Sequence, residues 1–295
     1  FQADIHVAVR GQETAFQAGL NALTRLTEGS VHLCLSPQPD HPSPAVTNAR
    51  QVSIHQFEGP HPSGNTSVHI FHIDPLKKGD VVWYIKAVDL IQIGECFVTG
   101  TVPSHRVVAL GGAGVKPAAR KYYRVRLGAS LAAFLKDKLE PGEQRILGGD
   151  ALTGVILPPD SSLRFYDSSL TVLPEGRHRE FLGWLAPGLN LFSRSKTFLS
   201  AWLGRSRTWN LDTNLRGALR PMILTGLYDR YVPLNILVDF LVRAVLAHDT
   251  EEAVKLGILD TDPEDFALCS FVCPSKMDLP DIIRRGLEEI EKEGL

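Results

Sequence analysis

The chain has 295 residues, 44% hydrophobic and 22% charged, with 31 Lys and Arg against 33 Asp and Glu. That balance allows two or three compact units with a real core and gives no electrostatic case for a nucleic-acid partner. Four cysteines are too few for a disulfide framework and read as free thiols in a reducing compartment. No apolar run approaches the roughly 18–20 residues of a membrane span and no signal leader opens the chain, so any membrane role is expected to be peripheral.

The opening FQADIHVAV reads as a strand over Ile5–Val9 and as the start of a fragment cut inside a domain. Residues 13–26 carry Phe16, Leu20, Leu23 and Leu26 at helical spacing, with Gly29 as a stop. Strands are predicted over 31–35 and 51–57, separated by a loop with four prolines between Pro37 and Pro44. Such alternation is the α/β signature. The loop EGPHPSGN leads into SVHIFHID, read as another strand, and Asp80 is predicted to cap a helix running to about Val98, with Gly100 just beyond.

After Pro103 the pattern changes. RVVALGGAG is a strand entering a glycine turn, KYYRVRLGASL continues the β pattern, residues 130–139 look helical, and PGEQRILGGDALTG has the punctuation of short strands and turns. Residues 104–182 therefore read as a small mixed β domain with one helix, and 183–232 as a connecting segment. From 233 onward the pattern is helical, over 236–246, 249–256, 263–271 and an amphipathic 278–292. That last piece turns Ile282, Ile283, Leu287 and Ile290 inward and shows Arg284, Arg285, Glu288 and Glu289 to water.

Charge is spread unevenly. Residues 96–136 hold no acid but contain Arg106, Lys116, Arg120, Lys121, Arg124, Arg126 and Lys136. Residues 181–211 are also acid-free, with Arg194, Lys196, Arg205 and Arg207 among Trp184, Trp202 and Trp209. Acid collects late, where Asp249, Glu251, Glu252, Asp260, Asp262, Glu264 and Asp265 surround Lys255. These runs are either solvated faces of mixed sign or a docking surface, since Trp and Arg are enriched in buried contacts between proteins.

The group His61, His69 and His72 does not predict a metal: on an extended strand His69 and His72 point to opposite faces, and no cysteine or carboxylate completes a zinc spacing. A loop presenting His61 to a ligand or partner is the stronger reading. GGAG at 111–114 follows a strand as nucleotide-binding turns do, but Pro117 stands where the third glycine of G-x-G-x-x-G belongs. No P-loop, G-x-S-x-G elbow or H-E-x-x-H is present, so no catalytic centre announces itself. Cys269, Cys273 and Pro274 form C-x3-C-P, the tail of the cluster-binding run C-x2-C-x2-C-x3-C-P. The upstream positions are Pro263 and Phe266, so two thiolates remain, too few for a four-iron cluster. On a helix the pair would share a face, which suits packing as buried free thiols or bridging between subunits.

Taken together, the blocks ETAFQAGLNALTRLTEG, EGPHPSGNTSVHIFHIDP, ECFVTGTVPSHRVVALGGAGV, RVRLGASL, PGEQRILGGDALTG, VLPEGRHREFLGWLAPG, DPEDFALCSFVCPSK and LEEIEKEG resemble the NqrA family of the Na+-translocating NADH:quinone oxidoreductase, the Nqr complex. The resemblance implies a multidomain α+β fold: a Rossmann-like α/β domain over 1–103 with its N-terminal part missing, a β-grasp domain of the SLBB type over 104–182, a connecting segment over 183–232 and a C-terminal helical domain over 233–295.

It also implies a peripheral protein on the cytoplasmic side of a bacterial inner membrane, within a translocase that oxidises NADH, reduces ubiquinone and exports Na+. Expected partners are the other Nqr subunits, above all the membrane-embedded NqrB, and NqrC. No cofactor is expected to be tightly bound in this chain; NADH, flavins and iron–sulfur centres belong to other subunits, and Cys269 and Cys273 are a vestige of a cluster motif. Within this reading Trp184, Arg194, Trp202, Arg205 and Trp209 are candidate docking residues. For ubiquinone the candidates are His61 and Ser63 with His69 nearby, because a quinone head group needs donors to its carbonyl oxygens inside an apolar slot, here beside Ile70 and Phe71. Two other classes stay open: a flavin and iron–sulfur electron-transfer protein of the Rnf C type, and a soluble-ligand-binding module centred on residues 122–154.

Overall fold

A computed structural model describes residues 4–37, 43–77, 79–177, 181–202, 209–223 and 225–294. The chain divides into two compact units. One holds Ala109–Tyr123 and Gly128–Leu219; the other takes the chain up to Val108, Arg124–Leu127 and everything from Arg220 on.

The second of these begins, in chain order, with α1 (Ile5–Val9), α2 (Glu13–Leu26), β1 (His32–Leu35), α3 (Pro44–Thr47), β2 (Ser53–Gln56), α4 (Thr66–Ile73) and α5 (Ala87–Thr99). Ile5–Val9 is helical, not the expected strand. The Asp4 carboxylate accepts the His6 N–H at 2.9 Å, a cap that starts the turn, and His6 and Val9 are buried. The predicted α2 forms as read and crosses α5 at backbone contact. A Cβ on Gly19 would stand 2.6 Å from the Leu90 carbonyl oxygen, and one on Gly94 only 1.7 Å from that of Ala15. Phe16, Leu20, Val46 and Leu90 form the core here, and Leu33 and Leu35 of the parallel β1–β2 pair pack against it. Asp80 does not cap α5. It accepts the Lys77 N–H at 2.9 Å and closes a turn, and α5 starts seven residues later, at Ala87. Gly100 ends it with a φ of 71°, as expected of a left-handed C-terminal residue.

The segment SVHIFHID is the main departure from expectation. It forms α4, with the His69 N–H donating to the Asn65 carbonyl at 3.2 Å and the Asp74 N–H to that of Ile70 at 2.8 Å. Its β-branched and aromatic residues favoured a strand. Burial decides otherwise: Val68 lies in the helical core described below and Phe71 packs against it, a three-residue spacing only a helix turns to one side.

The larger sheet among the described residues is built from β3 (His105–Gly111), β4 (Lys121–Arg126), β5 (Gln144–Gly148), β6 (Val155–Ile156) and β7 (Ser169–Pro174), with α6 (Leu131–Leu135) between β4 and β5. Strand order is β4-β3-β7-β5-β6. β7 runs parallel to β3, with Ala109 opposite Ser169, and antiparallel to β5, with Ile146 opposite Val172. The GGAG turn is structural. The Gly114 N–H donates to the Val172 carbonyl at 2.9 Å, and a Cβ on Gly112, whose φ is 109°, would stand 2.1 Å from the same oxygen. The helix expected over 130–139 is shorter, starting after Ser130 and ending at Leu135.

The C-terminal part supplies α7 (Val238–Leu246), α8 (Thr250–Lys255), α9 (Ala267–Val272) and α10 (Leu279–Glu293), around a core containing Tyr228, Leu241, Phe266, Leu279 and Ile283. α10 turns Ile282, Ile283 and Ile290 inward as its pattern predicts. The element expected over 263–271 is a 3-10 turn, Pro263–Phe266, followed by α9. Cys269 lies on α9 but Cys273 follows its end, so no shared helical face unites them; the core does, with both fully buried. Among the described residues no helix is long and apolar enough to cross a membrane.

Candidate ligand loop and docking segment

Two of the three expected quinone residues meet where the loop between β2 and α4 folds against the helix: Ser63 in the loop and His69 on α4. His69 Nε2 lies 3.1 Å from the Ser63 carbonyl oxygen, and the Ser63 hydroxyl donates to the Gly59 carbonyl at 2.9 Å. His61 contributes a buried Nε2 with no hydrogen-bond partner. Burial pushes the His69 pKa below its ordinary value, opposed by the Ser63 carbonyl, so this imidazole is neutral at neutral pH.

Because α4 is a helix, His69 and His72 sit three residues apart on one side, and the expectation of opposite faces fails. The Phe57 ring centroid is 4.2 Å from that of His69 and 6.4 Å from that of His72. Each histidine's Nε2 is engaged by a backbone carbonyl, that of Ser63 or, at 3.2 Å, that of Pro233. Among the described residues no group of three or more His, Cys, Asp or Glu is placed to hold a metal. The aromatic neighbour of the loop is Phe57, which sequence reasoning missed. Phe71, expected to flank it, packs against the helical core. The available signal was position: Phe57 follows β2 directly, at the start of the loop.

A second group that sequence reasoning missed fixes this loop. Asp265 is fully buried; one of its carboxylate oxygens accepts from Asn65 Nδ2 at 2.9 Å and Ser67 Oγ at 2.7 Å. The other accepts the Asp262 N–H at 2.9 Å, completing a capping box around Pro263. Burial pushes the Asp265 pKa up despite these three donors, all of which favour the ionised form. Residues 65–67 are thereby tied to a residue 200 positions along the chain. The local signal that could have shown the cap is the pattern D-P-E-D at 262–265; nothing in the sequence announced its distant partners.

The cysteines pack among apolar side chains. Cys273 Sγ lies 3.0 Å from the Tyr228 hydroxyl, and the Cys269 thiol 3.7 Å from the Tyr228 carbonyl. Burial, with Asp229 next in effect, pushes the Cys269 thiol up to about 12.

Of the expected docking residues, Trp202 is 78% exposed, Arg194 is exposed, and Trp209 is half-buried with its ring edge-on to Phe192 at 5.8 Å. Arg205 and the Trp184 side chain lie outside the described residues. Phe181, at 93% exposure, and Leu185, Leu189 and Leu199 add apolar surface along the same irregular segment. Its far end is anchored to the strands: the Gly176 N–H donates to Thr213 Oγ1 at 2.9 Å, and the Thr213 hydroxyl donates to Glu175 at 2.9 Å. Glu175 also takes a two-pronged bond from Arg145, which holds its carboxyl below the usual range.

An α/β part with a parallel strand pair, a mixed five-stranded sheet and a helical C-terminal part define a multidomain α+β protein. The model of the NqrA second alpha/beta domain matches residues 1–102, and that of the NQRA C-terminal domain, of the SLBB type, matches 107–157. Over 293 residues, 99% of its length, the chain is 41% identical to the A subunit of the Na(+)-translocating NADH-quinone reductase of Pasteurella multocida, covering 64% of that protein. It is 38% identical over 294 residues to the corresponding protein of Rhodopirellula baltica, covering 63% of it, and 40% identical over 280 residues to that of Histophilus somni (strain 2336), covering 61%. The chain belongs to the NqrA family, the A subunits of the Na(+)-translocating NADH-quinone reductase. It spans a little under two thirds of the length of these curated relatives.

Proposed function

We propose that the chain acts as part of the NqrA component of a Na+-translocating NADH:quinone reductase, a peripheral piece on the cytoplasmic face of the membrane that docks on the membrane subunits and contributes to ubiquinone binding. The observation that carries this is identity of about 40% to proteins of that name along nearly the whole chain. In this role the chain holds no redox cofactor of its own. NADH, flavin and iron–sulfur chemistry belong to other components of the complex, and NqrB and NqrC are its first partners.

Docking is assigned to the acid-free segment 181–211, where Phe181, Leu185, Leu189, Leu199, Trp202 and Arg194 stand exposed. Charge reversal at Arg194 and Arg205 is expected to reduce co-purification with the membrane subunits. Unchanged assembly and activity of the complex would remove the segment from consideration. Quinone binding is assigned to the loop of His61 and Ser63, with His69 of α4 nearby, beside Phe57. The unpartnered His61 Nε2 supports it, since a quinone carbonyl would satisfy that nitrogen when it carries the proton. Quinone titration of the complex carrying His61→Ala tests this, and unchanged affinity counts against the loop.

A further inference from the structure

The β1–β2 ribbon carries metal-ligating side chains on the face turned from its core. Alternation sends Leu33 and Leu35 to the core and His32 and Cys34 to the other side, and the parallel register sets His55 opposite Cys34. His32 Nδ1 and His55 Nε2 stand 3.0 Å apart, with ring centroids at 5.1 Å and planes inclined at 45°. His32 is exposed and His55 half-buried, so solvent reaches the pair.

We propose that His32 and His55 form a two-histidine chelate for a first-row transition-metal ion, Cu2+ or Ni2+. Nitrogens 3.0 Å apart, each about 2.0–2.1 Å from an ion, subtend roughly 90–100° there, close to the cis angle of square-planar and octahedral complexes and below the tetrahedral angle of zinc sites. Imidazole is a ligand type that suits both ions.

Binding requires a lone pair on each facing nitrogen. In the neutral pair one of the two carries the shared proton; moving it to the far nitrogen of the same ring frees both lone pairs without releasing a proton. Protonating either ring fully removes its lone pair, so acid abolishes chelation. Water completes the coordination, since among the described residues no set of three ligands is placed together. Cys34, half-buried on the same face, is not grouped with the two histidines as a third ligand among the described residues.

The test is calorimetric titration of the full chain with CuCl2 and, separately, NiCl2 in a weakly coordinating buffer near neutral pH and again in mild acid. One ion per chain is expected near neutrality, with binding lost in acid. Both H32Q and H55Q change solvent-accessible side chains, and circular dichroism checks that each variant stays folded. Each is expected to weaken binding by at least about tenfold, the scale on which even supporting residues act. H248Q, which alters an exposed histidine paired with Glu289, is expected to bind like the parent. Electron paramagnetic resonance of the Cu2+ form is expected to show two coordinated imidazole nitrogens. Absence of saturable binding near neutral pH, or equal affinity in the folded H32Q and H55Q variants, overturns the proposal.

Discussion

Replacing Asp265 by alanine removes one carboxylate and leaves two side-chain donors, Asn65 Nδ2 and Ser67 Oγ, without their acceptor, while the Asp262 N–H at the start of its turn can turn to water. A hydrogen bond to a charged acceptor contributes about 1.5–3 kcal/mol, and a buried donor left unsatisfied costs about 1–3 kcal/mol. Against this stands the relief of removing a desolvated carboxylate, the same burial that raises the Asp265 pKa. The losses do not add, and the net expectation is a destabilisation of about 3 kcal/mol. Because the bonds join residues 65–67 to the C-terminal helices, the loss should appear as weaker amide-exchange protection in both α4 and α10. Asp265→Asn keeps one oxygen for Asn65 and Ser67 but turns an NH2 toward the Asp262 N–H, so it should cost roughly half as much. The sign of the pH dependence is fixed too. A raised folded-state pKa stabilises most below the ordinary carboxylate value of about 3.9, and that contribution is lost as pH rises through the raised value. The stability gap between parent and Asp265→Asn should therefore narrow on going from pH 3 to neutrality. Urea unfolding followed by exchange of α4 and α10 amides measures all of this; a loss below about 1 kcal/mol in Asp265→Ala, or protection changed in α10 alone, would refute the reasoning.

Asp89→Ala strands Arg106, whose Nη2 lies 2.8 Å from Asp89 and whose side chain is 2% exposed; the expected cost is about 3–5 kcal/mol in urea unfolding. The double change D89L and R106M should recover most of it. Gly94→Ala drives a methyl group into the Ala15 carbonyl at 1.7 Å, so the α2–α5 crossing must open, at a cost of about 3 kcal/mol or more, read as a fall in thermal midpoint. In native protein a thiol reagent should leave Cys269 and Cys273 untouched and modify at most Cys34 and Cys96, all four reacting in denaturant; reaction of the buried pair without unfolding would contradict their place in the core.

Local chemistry and periodicity by themselves determined the elements whose own residues decide them. α2 follows from Phe16 and Leu20 at helical spacing, α10 from a continuous apolar stripe beginning after the Asp278 cap, and the end of α5 from Gly100. The blocks quoted from the sequence were likewise enough to point to the family. Tertiary structure decided the rest. SVHIFHID has strand composition and becomes α4 because Val68 and Phe71 find the helical core, and that burial turns His69 and His72 to one side. The carboxylate that fixes the candidate loop comes from residue 265, and the two histidines of the β1–β2 ribbon meet only through the parallel register of their strands. Hydrophobic spacing records what a segment can bury. Which distant segment receives it, and which polar groups then meet, is set by packing between parts of the chain far apart in sequence.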